Sequence, residues 1–484
     1  MVARAGVMKR RISNVAATSA NNVPSLSLME ELFGDDFPEA FAGSVGGYVH
    51  KSRRTILDLP AELLAVICED LSKLDIKRLR LVNRSLAKRV ELRIDRVYIS
   101  PNRANLESLQ RILGHKRYRN RVQEIIWDDA QLEEYSSLED FSHAIHNDEK
   151  QLVNDIETRL EDAINGQNDD SFDYQALEYG DLFQDGRLTD VAKGLLLRYD
   201  DQTSRDLIAR CAAMMSVEES YAIYQDLYRE EQEIMKRGDD VAALQYALTG
   251  FPNVRRITLT SEIWRPWNLL PTYDTPLFRS LPPGFRKPSV WPWLGPRPHP
   301  TPAQTAHRDK VMAQPLDGLP TEWRGYSILV SALIALPNPK IEEFIIDVGN
   351  EPTGLPHQLF AAPNEDYTLT LRMLQHLPLK KLQLALNSHG AAHVGYTYLT
   401  SGLLFSALNT LPNLESLDLN TNSHARIIRL VEFWTDPSKL LPLSLMQRLS
   451  HFALRNTVLC TNLCSRLYPF LASMTNVRSV VLDN

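Results

Sequence analysis

The sequence predicts an α/β chain in which short helix–strand units lie side by side along one parallel sheet. Three observations support this fold class. An apolar template of the form φ-x-x-φ-x-φ, where φ is apolar, occurs seven times, and its later starts are separated by 38, 35, 35 and 28 residues. A Pro/Asn turn leads into most templates, and an apolar helical segment precedes the turn. Because one such unit cannot bury its apolar face alone, neighbouring units are expected to stack into an irregular solenoid.

The templates predict which strand residues enter the core. Side chains alternate across a strand, so the φ positions should point into the core and the intervening positions towards a concave surface. The seven sets are Val122/Ile125/Trp127, Val254/Ile257/Leu259, Ile341/Phe344/Ile346, Leu379/Leu382/Leu384, Leu414/Leu417/Leu419, Leu449/Phe452/Leu454 and Val477/Val480/Leu482.

The N-terminal region divides into two parts. Residues 1–50 are rich in Ser, Asn, Gly and Ala, and we predict a disordered tail. Residues 55–96 predict a packet of two or three short amphipathic helices, in which Pro60 opens the first helix and Asp75 caps the second. The apolar positions that recur at helical spacing are Leu63, Leu64, Ile67 and Leu71 in the first helix, Ile76, Leu79 and Val82 in the second, and Leu86 and Val90 beyond it.

This packet resembles the F-box family. The resemblance rests on Leu59-Pro60-x-Glu62-Leu63-Leu64, then Ile67, Leu71, Leu74-Asp75, Leu79 and Leu81-Val82-Asn83-Arg84. It implies a three-helix module that binds a Skp1-like adaptor and, through it, a cullin–RING ubiquitin ligase. The adaptor contact implied by the resemblance comprises Leu59, Pro60, Glu62, Leu63, Ile67, Leu71, Leu79 and Val82.

Residues 97–484 resemble a degenerate leucine-rich-repeat domain, a layout that follows the F-box in large fungal families. Two segments interrupt the predicted repeats. Residues 131–250 predict a helical insertion that contains an acidic helix with Leu152, Ile156, Leu160 and Ile164 on one face. Residues 264–323 hold five of the seven tryptophans among many prolines, which predicts a long ordered loop that is neither helix nor central strand.

Composition restricts the class of protein. The 484 residues are 44% hydrophobic and 23% charged with a net charge of −7, which is typical of globular proteins. Residues 51–125 carry 18 basic and 9 acidic side chains, whereas residues 126–190 carry 3 and 19. Four scattered cysteines indicate a reducing compartment, and no run of 18 apolar residues could span a membrane. We therefore predict a cytoplasmic or nuclear location, or both.

The sequence shows no signature of catalysis, and we predict neither a cofactor nor a metal. It contains no G-x-S-x-G, P-loop, G-x-G-x-x-G or H-E-x-x-H motif. Cys460 and Cys464 lack a second ligand pair, and His389 and His393 lack a third ligand.

Three functions remain open at this stage. The first is a non-catalytic substrate receptor of an SCF-type ubiquitin ligase that binds a Skp1-like adaptor and an unknown protein substrate. The second is a repeat-based binding scaffold outside any ligase, and the third is an enzyme with a divergent site. A basic helix face lacks the interleaved aromatic residues that stack on bases, so a solvated face or an acidic protein partner is favoured over nucleic acid. Its members are Lys77, Arg78, Arg80, Arg84, Lys88, Arg89, Arg93 and Arg96.

Overall fold

The computed structural model describes residues 55–145, 183–184, 187–188, 189–197, 202–261, 273–288, 293, 305–307, 310, 323–349, 353–387, 401–421, 441–456 and 469–483. The predicted tail at 1–50, the acidic helix around residues 152–164, the two histidines at 389 and 393 and the cysteines at 460 and 464 lie outside these residues. The chain forms two compact units, Met1–Glu91 and Leu92–Asn484, called unit 1 and unit 2.

Unit 1 contains three helices after a 3₁₀ turn at Ile56–Asp58. They are α1 (Ala61–Asp70), α2 (Lys73–Val82) and α3 (Arg84–Arg89). The prediction that Asp75 caps the second helix was wrong. Ser72 is the N-cap, and its hydroxyl accepts a hydrogen bond from the Asp75 backbone N–H at 3.1 Å, because the N-cap side chain reaches the N3 amide.

Among its described residues, unit 2 has eleven strands, helical residues at 138–145, 305–307 and 469–472, and the eleven helices whose bounds follow. The strands are β1 (Arg96–Ile99), β2 (Glu124–Asp128), β3 (Phe183–Gln184), β4 (Arg187–Leu188), β5 (Arg256–Thr260), β6 (Glu343–Asp347), β7 (Leu355–Pro356), β8 (Lys381–Asn387), β9 (Ser416–Asn420), β10 (His451–Arg455) and β11 (Ser479–Asp483). The helices are α4 (Arg103–Gly114), α5 (Lys116–Arg119), α6 (Asp190–Leu197), α7 (Gln202–Ala212), α8 (Val217–Arg237), α9 (Asp239–Gly250), α10 (Pro276–Ser280), α11 (Arg324–Ile334), α12 (Glu365–His376), α13 (Leu403–Asn409) and α14 (Leu443–Met446).

The predicted α/β architecture with a parallel sheet is confirmed. Eight strands pair in the order β1-β2-β5-β6-β8-β9-β10-β11, which follows the chain, and each of these pairs is parallel. The short strand β7 adds to β8, and β3 and β4 form a separate antiparallel pair. The register aligns the middle template positions with Val97 of β1 in one column: Val97, Ile125, Ile257, Phe344, Leu382, Leu417, Phe452 and Val480. The prediction that the seventh template points into the core was wrong for Val480 and Leu482, which are each 39% exposed, because β11 is the edge strand of the described sheet.

The same backbone contact begins each strand of the eight-strand parallel series after β1. Two successive N–H groups donate to one carbonyl oxygen of the preceding unit, as Arg255 and Arg256 do to Gln123 at 2.9 and 3.1 Å. The acceptor carbonyls are those of Asp95, Gln123, Arg255, Glu342, Lys380, Glu415 and Ser450. Because this contact fixes where each strand starts, the apolar columns stay in register across the sheet.

Side chains in the turns before the strands add a second link between units. Asn253 Nδ2 donates to the Asn120 carbonyl at 2.7 Å, and Arg448 donates to the Leu411 carbonyl at 3.0 Å. His376 Nε2 lies 2.6 Å from the Leu336 carbonyl. The Pro/Asn turns recognised in the sequence therefore join units as well as reversing the chain.

The sheet is covered on both faces near β1 and β2. On one face the template residues join the helices in a continuous core. On the other face Ile126 lies in a second cluster with Phe141, Tyr224, Tyr273 and others. Aromatic side chains of the insertion therefore bury Ile126 on the side of the sheet that was predicted to be the concave surface.

The insertion and the Trp/Pro segment are partly described. The described residues of the segment include the short helix α10 and helical residues at 305–307, so the prediction of no helix at 264–323 was wrong there. Pro276 occupies its first turn, where a missing N–H costs no hydrogen bond. Trp293 and Trp323 are buried, and their indole N–H groups donate to Asp129 Oδ2 at 2.8 Å and to the Gly354 carbonyl at 3.0 Å. These tryptophans belong to the main core.

None of the helices described here has the length and apolar character required to cross a bilayer.

Replacing Gly325 tests how closely α11 packs against β2. Its N–H donates to Asp129 Oδ1 at 2.8 Å, and a Cβ atom there would overlap Trp127 Nε1 and the Asp129 carboxylate. We expect Gly325→Ala to lower the free energy of unfolding by about 1–3 kcal/mol, as overpacking does. Gly194→Ala is the matched control, because a Cβ there contacts nothing within 4 Å. In a helix it should stabilise by about 0.5–1 kcal/mol. Urea unfolding of both variants measures the difference, and equal midpoints would contradict the packing described.

Candidate functional site

Unit 1 has a small interior. Leu64, Ile76, Leu86 and Val90 are each at most 2% exposed. They come from all three helices and from the residue after α3, so the packet closes around four aliphatic side chains. An interior of this size stabilises a domain only modestly.

Two arginines link separate parts of unit 1 by hydrogen bonds to backbone carbonyls. Arg80 donates to the Val90 carbonyl. Arg89 donates to the Leu57 carbonyl at 2.6 Å and to the Leu59 carbonyl. These bonds hold the 3₁₀ turn and the end of α3 in place, because guanidinium groups can serve several carbonyl acceptors at once. The basic face predicted for both arginines, either solvated or matched to an acidic partner, does not describe them, because both are half-buried and donate to backbone carbonyls of unit 1.

The surface of unit 1 is unusually apolar. Thirteen large apolar side chains are classed as exposed among the described residues, and six of them lie between residues 57 and 82. We call these six the apolar patch: Leu57, Leu63, Val66, Ile67, Leu81 and Val82. Leu81 and Val82 are 86% and 75% exposed. Such a concentration on a small module is typical of an interaction surface.

The predicted contact residues divide into two groups. Pro60, Glu62, Leu63, Ile67 and Val82 are exposed. The other three, Leu59, Leu71 and Leu79, are half-buried.

The helical pattern in α2 was read wrongly. Ile76 is buried and Val82 is exposed, although the sequence analysis placed them on one face. Six residues advance an α-helix by about 600°, so the two side chains point in clearly different directions. Sequence reasoning also missed Leu57, Val66 and Leu81 as members of the apolar patch. The signal was present, since an amphipathic helix with one core face should not place leucine and valine among its charged residues.

A second candidate surface lies on the strand face of unit 2, towards β8, β9 and β10. Lys381, Ser416 and His451 are aligned across these strands, and each is half-buried. Arg455 donates to both carboxylate oxygens of Asp418, at 3.2 and 3.0 Å. The row is polar and lacks an apolar anchor, so its character differs from that of the apolar patch.

Titratable groups are buried elsewhere in unit 2. Desolvation raises the pKa of Asp128 and Glu231 well above the usual range of a carboxyl group. Burial lowers the pKa of His357 to about 4, although its Nδ1 lies 3.2 Å from the Asn387 carbonyl. Among the described residues, no group of three or more His, Cys, Asp and Glu side chains is arranged to hold a metal ion.

Two adjacent leucines in α1 distinguish the buried interior of unit 1 from its exposed surface. Leu64 is 1% exposed and Leu63 is 53% exposed. We expect Leu64→Ala to lower the free energy of unfolding of unit 1 by about 2–5 kcal/mol, because it leaves a cavity. Leu63→Ala should change it by less than about 0.5 kcal/mol, as surface substitutions do. Hydrogen exchange in peptides from residues 55–91 measures both effects, and equal losses of protection would contradict the assignment of Leu63 to the surface.

Comparison with known proteins provides no further assignment for this surface. No protein-family model matches the chain, and no curated protein matches it significantly. The apolar patch on unit 1 and the extended parallel sheet of unit 2 are therefore the features on which a functional inference depends.

Proposed function

We propose that this chain is the substrate-recognition subunit of an SCF-type ubiquitin ligase. Unit 1 acts as an F-box-like module that binds a Skp1-like adaptor, and unit 2 holds a protein substrate. In this proposal the chain performs no chemistry. It raises the effective concentration of substrate near the conjugating enzyme, which other subunits position.

The apolar patch on unit 1 carries this proposal. Among the described residues of unit 1, six large apolar side chains on the 3₁₀ turn, α1 and α2 remain exposed, while four aliphatic side chains are buried. Burying such a side chain fully contributes about 1.5–3 kcal/mol, so a partner that covers the patch gains a large driving force. The exposed members include Leu63, Ile67 and Val82, which the F-box resemblance assigns to the adaptor contact.

The topology of unit 2 supports a leucine-rich-repeat-like substrate domain. Eight of its described strands add one after another in chain order, and each of them after β1 begins with the same backbone contact. One unit, Leu379-x-x-Leu382-x-Leu384-x-x-Asn387, has the spacing L-x-x-L-x-L-x-x-N that characterises such repeats. Asn387 is buried, and its Nδ2 donates to the Trp293 carbonyl at 3.3 Å. Repeat domains of this kind present extended surfaces for protein partners.

A binding scaffold outside any ligase is the second candidate. The same topology of unit 2 supports it, since a repeat surface binds proteins whether or not a ligase is attached. The two candidates differ in the partner of unit 1, so an adaptor-binding experiment separates them.

Charge placed in the apolar patch should abolish adaptor binding. We expect Leu63→Asp and Leu81→Asp each to weaken the affinity of the full chain for purified Skp1 by more than about tenfold, because a carboxylate would be buried in an apolar contact. Both side chains are more than half exposed, so the fold should tolerate the change. Isothermal titration calorimetry on the folded chain measures the affinity.

Leu443→Asp is the matched control. Leu443 is 60% exposed and begins α14 in unit 2, so the same change in chemistry falls outside unit 1. Its affinity for Skp1 should equal that of the unchanged chain. If the folded, unchanged chain does not bind Skp1, the ligase proposal is wrong and the scaffold remains. If all three variants lose binding equally, the apolar patch is not the contact.

A further inference from the structure

A groove of about 760 Å³ opens on the helix side of unit 2, between α4, α9 and the C-terminal end of α8. Leu106 and Leu109 of α4 and Ala243 of α9 line it, and all three belong to the main core, so the floor of the groove is apolar. Exposed side chains lie on both sides of this floor, among them Gln110 on α4 and Tyr246 on α9. The volume lies within the range of about 300–1,000 Å³ that ligand sites occupy.

Small residues of α9 shape the groove. A Cβ atom at Gly250 would lie 2.6 Å from Leu113 Cδ2, so α4 and α9 are in close contact at the end of α9. Ala242 and Ala243 line the groove farther back along the same helix, and their short side chains leave the floor open. The lining extends along all 12 residues of α9, a length of about 18 Å at 1.5 Å per residue. The groove can therefore accept an elongated ligand of about three helical turns.

Most charged side chains around the groove are already paired with one another. The ion pairs are Arg103–Glu230 at 3.7 Å, Arg111–Glu107 at 2.7 Å and Arg237–Glu233 at 3.3 Å. Each pair has at least one exposed member, so each contributes little to stability. Together they give the groove a polar rim around an apolar floor, which is the arrangement found in protein interfaces.

Arg119 differs from these rim charges. Its side chain lines the groove and is half-buried, and its guanidinium makes no hydrogen bond or ion pair with a described residue. Asn253 donates to the carbonyl of Asn120, the next residue, which places Arg119 beside the end of α9. Asp239, at the start of α9, also lacks a partner among the described residues. The dipole of α9 favours both charges, but Asp239 is exposed, so Arg119 is the one that loses water without gaining an acceptor.

Tyr246 provides an exposed aromatic contact at the edge of the floor. It is 69% exposed and lies one helical turn after Ala243. Tyrosine and arginine are among the residue types that most often dominate the energy of protein interfaces. An aliphatic chain would leave the polar rim unused, whereas a helical peptide presents apolar side chains to the floor and polar side chains to the rim. The lining therefore favours a peptide helix over an acyl chain.

We propose that this groove binds an amphipathic helix of a partner protein, whose aliphatic face packs on Leu106, Leu109 and Ala243 and whose acidic end binds Arg119. The contact between a carboxylate and the guanidinium is charge-assisted and would supply the acceptor that Arg119 lacks. Asp239 repels an acid at the other end of the groove, so the acidic end of the helix belongs next to Arg119. The groove lies entirely within unit 2, and the inference does not depend on the function of unit 1.

A phage-displayed library of 16-residue peptides is the probe, because the partner is unidentified. The library is first depleted on the folded Arg119→Ala/Tyr246→Ala variant of the full chain and then selected on the unchanged chain. Depletion removes peptides that bind elsewhere, including those that bind the apolar patch. We expect the enriched peptides to carry aliphatic residues at i, i+3 or i+4 and i+7, with an acidic residue at one end. If the double variant does not fold, Arg119→Glu alone serves for depletion.

Synthetic copies of the enriched peptides then measure the contact by isothermal titration calorimetry. We expect Arg119→Ala and Tyr246→Ala each to weaken their affinity for the full chain by more than about tenfold, as the loss of an arginine or tyrosine anchor does. Lys116→Ala is the matched control, because Lys116 is exposed on α5 and does not line the groove. Its affinity should equal that of the unchanged chain.

Two results would overturn the proposal. One is a selection in which no peptide survives depletion, and the other is a set of enriched peptides that bind Arg119→Ala as tightly as the unchanged chain. Laurate, titrated below its critical micelle concentration, tests the alternative occupant. If laurate binds in a manner that requires Arg119 and no peptide does, the groove holds an anionic amphiphile and the helix proposal is wrong.

Discussion

The fold of unit 2 depends on one repeated contact, in which two successive N–H groups at the start of a strand donate to a single carbonyl of the unit before. The contact between Arg255, Arg256 and Gln123 recurs at every later junction of the sheet. Moving a strand by one residue would exchange its core and surface side chains, so a fixed starting point protects the whole apolar column. The segments between templates can differ in length because each following strand starts at the same kind of carbonyl contact, whatever the length of the chain before it.

The long insertion after β2 is accommodated in this way, and it covers one face of the sheet at β2. Its helix α8 joins both cores, with Ile234 in the main cluster and Tyr224 in the cluster over Ile126. The strand face near β1 and β2 is therefore interior. The face towards β8, β9 and β10 retains half-buried polar side chains such as Lys381 and His451, and in the proposed substrate domain it is the part that a partner could reach.

Unit 1 shows the opposite balance between interior and surface. Arg80 and Arg89 close a very small core through backbone carbonyls, and the six side chains of the apolar patch remain exposed to solvent. Such a module gains little stability from its own packing, and a partner that covered the apolar patch would bury much additional apolar surface. For this reason the proposed adaptor contact rests on the exposure of side chains such as Leu81 rather than on the match to a motif alone.

The sequence by itself determined the strands of the parallel sheet and, except at Val480 and Leu482, their inward positions. The spacing of Leu379, Leu382 and Leu384 predicts both, because alternation along a strand is a local property of the backbone. Only the tertiary structure decided which of the other positions are open, how Trp293 and Asp129 meet across 164 residues, and which face of α2 is exposed. These outcomes depend on contacts between segments that are distant in the chain, and a local pattern carries no information about such contacts.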